Sequence, residues 1–261
     1  MAPEHFHRRQ TVSQTSRYRP LAAIYDRVMS HVEYDRWHEL VDFIAAKHCR
    51  DHPPSVFEIG AGTGVLGRRL RAAGYDYTGS DLSFDMCRQA AARGLGPACA
   101  DGRALPYKGR FDIVLFLYDG INYLLTEGDY AALFTETHRV LNPGGFFLFD
   151  ITTRQNSMSY FLDHIYYEDL GDHYYVRHSY FEPGDSLQYN DFNIFRRCAG
   201  GRSYERADES HRQKLFSPQT IRRWIDPARF EIAGVWDGFS RRPFSRHSER
   251  IHFLLRRQGD A

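Results

Sequence analysis

The stretch Ser55-Val56-Phe57-Glu58-Ile59 followed by Gly60-Ala61-Gly62-Thr63-Gly64 does most to constrain how this chain can fold. The first five residues read as a short buried strand, and the glycines after them permit backbone conformations that a Cβ would forbid. The turn opens a helix through about Ala73. A strand that turns through glycine into a helix leaves unpaired N–H groups facing whatever sits at the helix N-terminus. The rhythm then recurs. Tyr77–Ser80 reads as a strand, Phe84–Arg93 as a helix, Pro97–Ala100 as a short strand and Phe111–Leu117 as a strongly apolar one. A helix over Tyr130–Leu141 is stopped by Asn142-Pro143-Gly144-Gly145, and Phe146–Asp150 is a strand again. Alternating strands and helices imply a parallel sheet covered on both faces, and right-handed crossovers make it a doubly wound, Rossmann-like α/β sandwich.

Other patterns flank this core. Residues 1–17 read as a polar tail. Leu21, Ile24, Tyr25 and Val28 fall at helical spacing, as do Trp37, Leu40, Val41 and Ile44, before Pro53-Pro54 ends the region. Beyond Asp150 the rhythm becomes antiparallel. In Asp172–Phe181, Tyr174, Val176, His178 and Tyr180 share one face, with His173, Tyr175, Arg177 and Ser179 on the other. A Glu182-Pro183-Gly184-Asp185 turn leads to Leu187–Arg197, where the apolar parity slips from Leu187/Tyr189 to Phe192/Ile194 and predicts a bulge near Asn190. A more polar third strand is expected over Tyr204–Leu215. Ser217-Pro218 starts a helix to about Ile225, and Phe230–Trp236 with Ile251–Arg256 supplies an antiparallel final strand pair. The organisation expected is a tail (1–17), helices over the site (18–52), a core (53–152 and 217–257) and a small antiparallel β insertion or lid (153–216).

Composition narrows the function. With 34 basic and 33 acidic residues the formal charge is +1, which argues against a nucleic-acid partner, since such binding needs a cationic surface. No apolar run approaches the ~20 residues of a membrane span, so no membrane association is expected. Four cysteines without a C-x-x-C pair, and thirteen histidines without an H-E-x-x-H, suggest neither a metal nor a disulfide framework and point to the cytoplasm. Aromatic residues reach 15%, and between Tyr160 and Phe195 eleven of 36 residues are aromatic, seven of them Tyr. That concentration in the insertion is expected to form a substrate-pocket wall.

Gly62-x-Gly64-x-x-Gly67 fits a dinucleotide fingerprint, and Asp81 follows at the distance of a ribose-binding acid. Taken alone, it leaves a nicotinamide-dependent oxidoreductase open. Glu58, however, stands two residues before Gly60, where a carboxylate would repel a pyrophosphate and attract an ammonium group. Glu58-x-Gly60-x-Gly62-x-Gly64 resembles the first motif of the class I S-adenosylmethionine-dependent methyltransferases. The resemblance continues in order through Asp81-Leu82-Ser83-x-x-Met86, Asp101-Gly102-Arg103-Ala104-Leu105-Pro106, Phe111-Asp112-x-Val114 and Arg139-Val140-Leu141-Asn142-Pro143-Gly144-Gly145. It implies a cofactor site built from Glu58, Gly60, Ala61, Gly62, Gly64, Asp81, Leu82, Met86, Asp101 and Gly102. In it Asp81 grips the ribose hydroxyls and Asp101 accepts from the adenine amine.

The ends of the chain resemble one branch of that family. Tyr25-Asp26-x-x-Met29 with Tyr34 and Trp37, and Asp119-Gly120-Ile121-Asn122-Tyr123-Leu124, are similar to bacterial small-molecule methyltransferases of the amino-sugar and glycine N-methyltransferase type. That likeness implies that Tyr25 and Trp37 cap the cofactor and that Tyr118 lies beside the transferred methyl. It also implies catalytic roles for Asp119, Asn122 and Tyr123. In amino-sugar enzymes a histidine can stand about where Tyr123 stands, so the base is open here, with His178 and His211 as alternatives. The implied activity is methyl transfer from S-adenosyl-L-methionine, leaving S-adenosyl-L-homocysteine, to a nitrogen ahead of an oxygen of a small molecule. A non-catalytic S-adenosylmethionine-binding module is the alternative beside the oxidoreductase.

Overall fold

The computed structural model describes residues 18–48, 53–109 and 111–259, so the polar tail expected at 1–17 lies outside the described residues. The chain enters through a 3-10 turn at Leu21–Ala23, then α1 (Tyr25–Val28) and α2 (Tyr34–His48). The single helix expected over Leu21–Val28 is therefore two short turns meeting at Ile24. They still share an inward face, since Leu21, Ile24 and Val28 are all buried.

The core follows as β1 (Ser55–Ile59), α3 (Val65–Ala72), β2 (Asp76–Asp81), α4 (Phe84–Ala92), β3 (Ala98–Cys99), β4 (Phe111–Phe116), α5 (Glu127–Val140) and β5 (Leu141–Thr152). After it come α6 (Arg154–Tyr160), β6 (Asp163–Asp169), β7 (His173–Glu182), β8 (Leu187–Arg197), β9 (Tyr204–Lys214), α7 (Pro218–Trp224), β10 (Phe230–Asp237) and β11 (Arg250–Arg257). Capping explains several boundaries. Ser83, Thr153 and Ser217 each accept a backbone N–H at the N-cap of α4, α6 and α7, and Thr126 forms a reciprocal capping box with Asp129 at α5.

Seven strands form one sheet in the order β10-β11-β5-β4-β1-β2-β3. β1 to β5 run parallel to one another, whereas β11 is antiparallel to both β5 and β10. This is the expected Rossmann-like sheet with its antiparallel end. Its two faces bury separate clusters, as the period-2 alternation of β5 requires. Phe147, Phe149 and Ile151 pack with Tyr130, Leu133 and Phe134 of α5 and Ile221 of α7. Phe146 and Leu148 pack on the opposite side with Trp37, Val41 and Ile44 of α2. Each such side chain contributes about 1.5–3 kcal/mol on burial, and the Phe149 and Phe253 rings stack at 4.9 Å across the β5–β11 ladder.

Residues of the insertion form a second, four-stranded antiparallel sheet in the order β6-β7-β8-β9. Two details correct the sequence expectations. β6 went unread because nearly all of it is exposed, which leaves no burial alternation to detect. The bulge near Asn190 is absent: β8 keeps an unbroken register with both β7 and β9, through Asn190↔Ser179 and Asn190↔His211. The slip in apolar parity has another cause. Gln188, Asn190, Phe192 and Ile194 all lie on one inward face, and its Gln188–Asn190 half is polar because it lines a cavity. Among the described residues no helix is long and apolar enough to cross a membrane.

Candidate active site

The strand order reverses between β1 and β4, which opens a crevice at the carboxyl ends of the parallel strands. There the sheet edge, the entry helices and the inward face of the second sheet enclose a cavity of about 380 Å³, a size typical of small-molecule sites. Glu58 is the last residue but one of β1 and Asp81 ends β2, and both are buried carboxylates facing this cavity. Burial pushes Glu58 up to about 8, although the Tyr77 hydroxyl, donating at 2.6 Å, pulls the other way. Burial likewise pushes Asp81 up to about 6, against two backbone donors: Gly62 N–H and Ser83 N–H, each at 2.8 Å. Gly60 and Gly62 carry φ of +67° and +55°, which turns the backbone past these acids at little cost.

Asp101 is held differently. Arg103 forks onto it through Nε and one terminal nitrogen and also reaches Asp129. Against the cost of burial, those bonds hold the Asp101 carboxyl below its usual range.

After β4 the chain makes a constrained turn, with Tyr118 and Asp119 both left-handed at φ +58° and +51°. The turn is fixed from the far end of the molecule. Arg250, the first residue of β11, pairs with Asp119 at 2.8 Å and with Asp150 of β5. The Asp119 N–H donates to Asp150 Oδ2 at 2.9 Å, and Gln213 donates to Asp119 Oδ2 at 2.6 Å. The Arg250 guanidinium also lies 4.9 Å from the centre of the Tyr118 ring.

One turn further on, the Tyr123 hydroxyl sits 2.6 Å from the Tyr18 hydroxyl and 3.1 Å from His211 Nδ1. His211 Nε2 lies 2.8 Å from Glu209 Oε1, and both side chains are almost fully buried. Glu209 in turn accepts the backbone N–H groups of Tyr18 and of Leu21, the latter at 3.1 Å. The remaining wall belongs to the second sheet: Arg177 on β7, Gln188, Asn190 and Phe192 on β8, Gln213 on β9.

Residues 56–145 match a family model described as a methyltransferase domain. A Bacillus subtilis (strain 168) protein, YqeM, which carries a provisional methyltransferase name, is 28% identical over 242 residues, covering 90% of this chain and 95% of its own. The crystal structure of an S-adenosylmethionine-dependent methyltransferase from Clostridium acetobutylicum ATCC 824 superposes with a TM-score of 0.77 at 25% identity, covering 93% of this chain and 99% of the other. The chain is a class I S-adenosylmethionine-dependent methyltransferase. The sugar N-methyltransferase KedS8 from Streptoalloteichus sp. ATCC 53650 shares its fold, with a TM-score of 0.72 at 20% identity over 90% of this chain and 93% of the other. The nicotinamide reading that the glycine fingerprint left open falls with this assignment.

Most of the residues singled out from sequence line the methyltransferase's cavity. Glu58, Gly60, Ala61, Gly62, Asp81, Leu82, Met86, Asp101 and Gly102 form its sheet end, with Tyr25, Trp37 and Tyr118 over it and Asp119 and Tyr123 deeper in. Two do not reach it. Gly64 starts α3 at φ +80°, where a Cβ would come within 2.5 Å of Leu95. Asn122 is fully buried, its amide donating to Lys214 O at 3.0 Å while its oxygen accepts Thr152 N–H at 3.1 Å. Of the two alternative bases, His211 faces the cavity, whereas His178 pairs with Asp163 on the outer face of the second sheet.

The aromatic wall is also corrected. Of the eleven aromatic residues between Tyr160 and Phe195, Phe161 and Phe192 line the cavity and the seven tyrosines do not. Tyr160, Tyr166 and Tyr167 are exposed, Tyr180 and Tyr189 stack at 4.8 Å, and Tyr175 packs on Leu21 and Ile24. Cavity tyrosines come instead from the entry segment and the β4 turn: Tyr18, Tyr25, Tyr34, Tyr118 and Tyr123. Sequence reasoning missed Arg250 and Glu209 altogether.

Proposed function

We propose that the methyltransferase acts on a nitrogen of a small polar molecule bearing an anionic group, and that the insertion at 153–216 is its acceptor lid. The observation that carries this reading is one cavity with two unlike ends. The sheet end holds acids, and the lid end holds an arginine and neutral polar groups.

The acids fit the cofactor. Buried carboxylates facing a cavity call for a cation or for hydrogen-bond donors. In this reading Glu58 receives the α-ammonium of S-adenosylmethionine and Asp81 the ribose hydroxyls. The backbone of Gly60, Ala61 and Gly62 lies beside them. Asp101 and Gly102 take the adenine edge, and Leu82 and Met86 its faces. Tyr25, Trp37 and Tyr118 form an aromatic wall worth about 0.5–2 kcal/mol to a sulfonium. The cofactor supplies an electrophilic methyl: the acceptor lone pair forms the new bond to carbon while sulfur keeps the electron pair of the bond that breaks. The protein's own part is to align the acceptor in line and keep water out.

The acceptor's charge follows from the arginines. Three line the cavity. Arg103 is matched by Asp101 and Asp129, and Arg250 by Asp119 and Asp150. Arg177 has no acid partner among the described residues, and its Nε is buried without a hydrogen bond. It sits between the Phe161 and Tyr166 rings, at 5.9 and 5.7 Å. A carboxylate or phosphate on the acceptor would satisfy it through paired N–H donors. Nitrogen is favoured over an alcohol oxygen because the groups near the acceptor end, a phenol and an imidazole, are weak bases. An alkylammonium, with a pKa near the ~10.4 of lysine, lies within their reach, whereas an alcohol near the ~15.7 of water does not.

The test is calorimetry with S-adenosylmethionine, then a screen of amines and alcohols with and without acidic groups, scored by S-adenosylhomocysteine release. Turnover of anionic amines is expected, and Arg177→Met should raise their KM by about 10²-fold with cofactor affinity unchanged. Turnover confined to neutral acceptors, or to alcohols, would overturn the corresponding part.

A further inference from the structure

We propose that the outer face of the second sheet is a self-association surface, on which a second copy of this chain packs about a two-fold axis running along the strands between β7 and β8.

Period-2 alternation gives every strand of this sheet two faces. The inward one lines the cavity and meets the entry segment through Tyr175, Phe192 and Ile194. The outward one carries most of the insertion's tyrosines, and the ladder pairings set its residues in rows across the sheet. One end row reads Asp163, Tyr180, Tyr189, Arg212; the row at the other end reads Asp169, Tyr174, Phe195, Arg206. Between them on the edge strand, Ile165 and Tyr167 stand 62% and 67% exposed. None of these side chains joins a buried apolar cluster among the described residues. An uncovered face of this kind marks a contact surface, because tyrosine brings large area at little entropic cost and is enriched at interfaces.

The order within the rows identifies the occupant. Both end rows run from an acid on β6 through two aromatic residues to an arginine on β9. Turning the face over about an axis along the strands reverses each row onto itself. Asp163 then faces Arg212 of the partner subunit, Tyr180 faces Tyr189 of the partner subunit, and Asp169 faces Arg206 of the partner subunit. In a middle row His178 comes opposite Asp191 of the partner subunit. The other two-fold that stacks these faces, an axis across the strands, sets acid on acid and arginine on arginine, and like charge excludes it. Stacked sheets lie about 10 Å apart with strands aligned within about 30°, a gap that an arginine and a facing aspartate span together. Within the chain Asp163 pairs with His178 and Arg206 with Asp208, while Asp169 and Arg212 have no ion pair among the described residues.

The face also has the size. Its strands of 7, 10, 11 and 11 residues, at ~4.8 by ~3.4 Å per residue, project to about 640 Å² per copy and about 1,300 Å² for the pair. Stable interfaces bury ~1,200–2,000 Å². With the outer faces joined, the two cavities lie on opposite sides of the dimer.

The experiment is sedimentation velocity on the full chain, and wild type should run as a dimer. Arg206→Asp with Arg212→Asp makes both edges acidic; Asp163→Arg with Asp169→Arg makes both basic. Each pair should raise the dissociation constant by about 10²-fold or more and yield a monomer. Both should still bind S-adenosylhomocysteine, since none of the four residues lines the cavity, and that binding shows them folded. Mixed in equal amounts the two variants should form a heterodimer, and a single chain carrying all four substitutions should dimerise with itself, because every acid again meets an arginine. A wild-type monomer, a dimer indifferent to the reversals, or folded variants that stay apart on mixing would overturn the surface.

Discussion

Glu58 leads to a quantitative prediction about protons. Burial raises its carboxyl to about 8, so at pH 7 the unliganded protein holds it about 90% protonated, from 1/(1 + 10^(7−8)). An ammonium group beside it reverses that balance, since an opposite charge within ~4–6 Å favours ionisation. Binding S-adenosylmethionine should thus expel close to one proton from Glu58. Its own α-amino group, with a pKa near ~7.7–8.0, takes up about 0.1–0.2 as it becomes fully charged. The net release is about 0.7–0.8 proton per cofactor at pH 7. Calorimetric titrations in phosphate and in Tris, whose ionisation enthalpies differ widely, read this number from the slope of apparent enthalpy against buffer enthalpy. Glu58→Gln should weaken binding and abolish the release. An unchanged release in Glu58→Gln would refute the assignment of Glu58 to the ammonium; a wild-type release within about 0.2 of zero would mean that the acid keeps one protonation state throughout, either protonated and donating or already ionised before the cofactor arrives.

The same ionisation governs stability without ligand. Glu58 has a folded pKa above its unfolded value of 4.5, so its contribution is full below that value and is lost as pH rises through about 8. Between pH 6.5 and 8.5 the unliganded protein should lose about 2 kcal/mol in denaturant titrations, and Glu58→Gln should flatten that slope. Tyr77→Phe removes the 2.6 Å donor that holds Glu58 down, so proton release measured at pH 8 should increase. Asp81→Asn should cost about 10²-fold in cofactor affinity with the circular dichroism spectrum unchanged; unaltered affinity would mean the ribose is held elsewhere. Arg250→Gln leaves Asp119 and the fully buried Asp150 carboxylate without a counter-charge. It should destabilise by about 3–5 kcal/mol, and a loss under 1 kcal/mol by denaturant titration would show that the pairing carries little.

The parallel core was legible because its strands are apolar runs between glycine turns, and β1 lies over Ser55–Ile59 as read. The two acids that face the cavity were legible for a related reason: Glu58 is the last residue but one of β1 and Asp81 ends β2, both buried strands that reach the sheet edge where the chain must turn. The second sheet was harder. On β9, Glu209, His211 and Gln213 share the buried parity, while the exposed parity is polar as well, so no hydrophobic alternation marks an inside. The polar pattern was nevertheless a signal, because a strand polar on both faces within a folded sheet has one face on a wet cavity. The tyrosines misled for the converse reason: composition locates them on the insertion but does not say which parity points inward. Arg250 is paired across 131 residues, and nothing in the spacing of the chain announces such a partner.

Asn122 ties the first residues of the excursion at Thr152 to its last at Lys214, so the whole second sheet leaves and rejoins the core at one stitched point. The two chain connections of this sheet to the core therefore lie side by side, while its far strands are held separately against the entry segment, where Tyr175, Phe192 and Ile194 pack with Leu21 and Ile24. Neighbouring points of departure and return let the excursion change in length without shifting the strand ladder of the core, whose register runs on from β5 to β11.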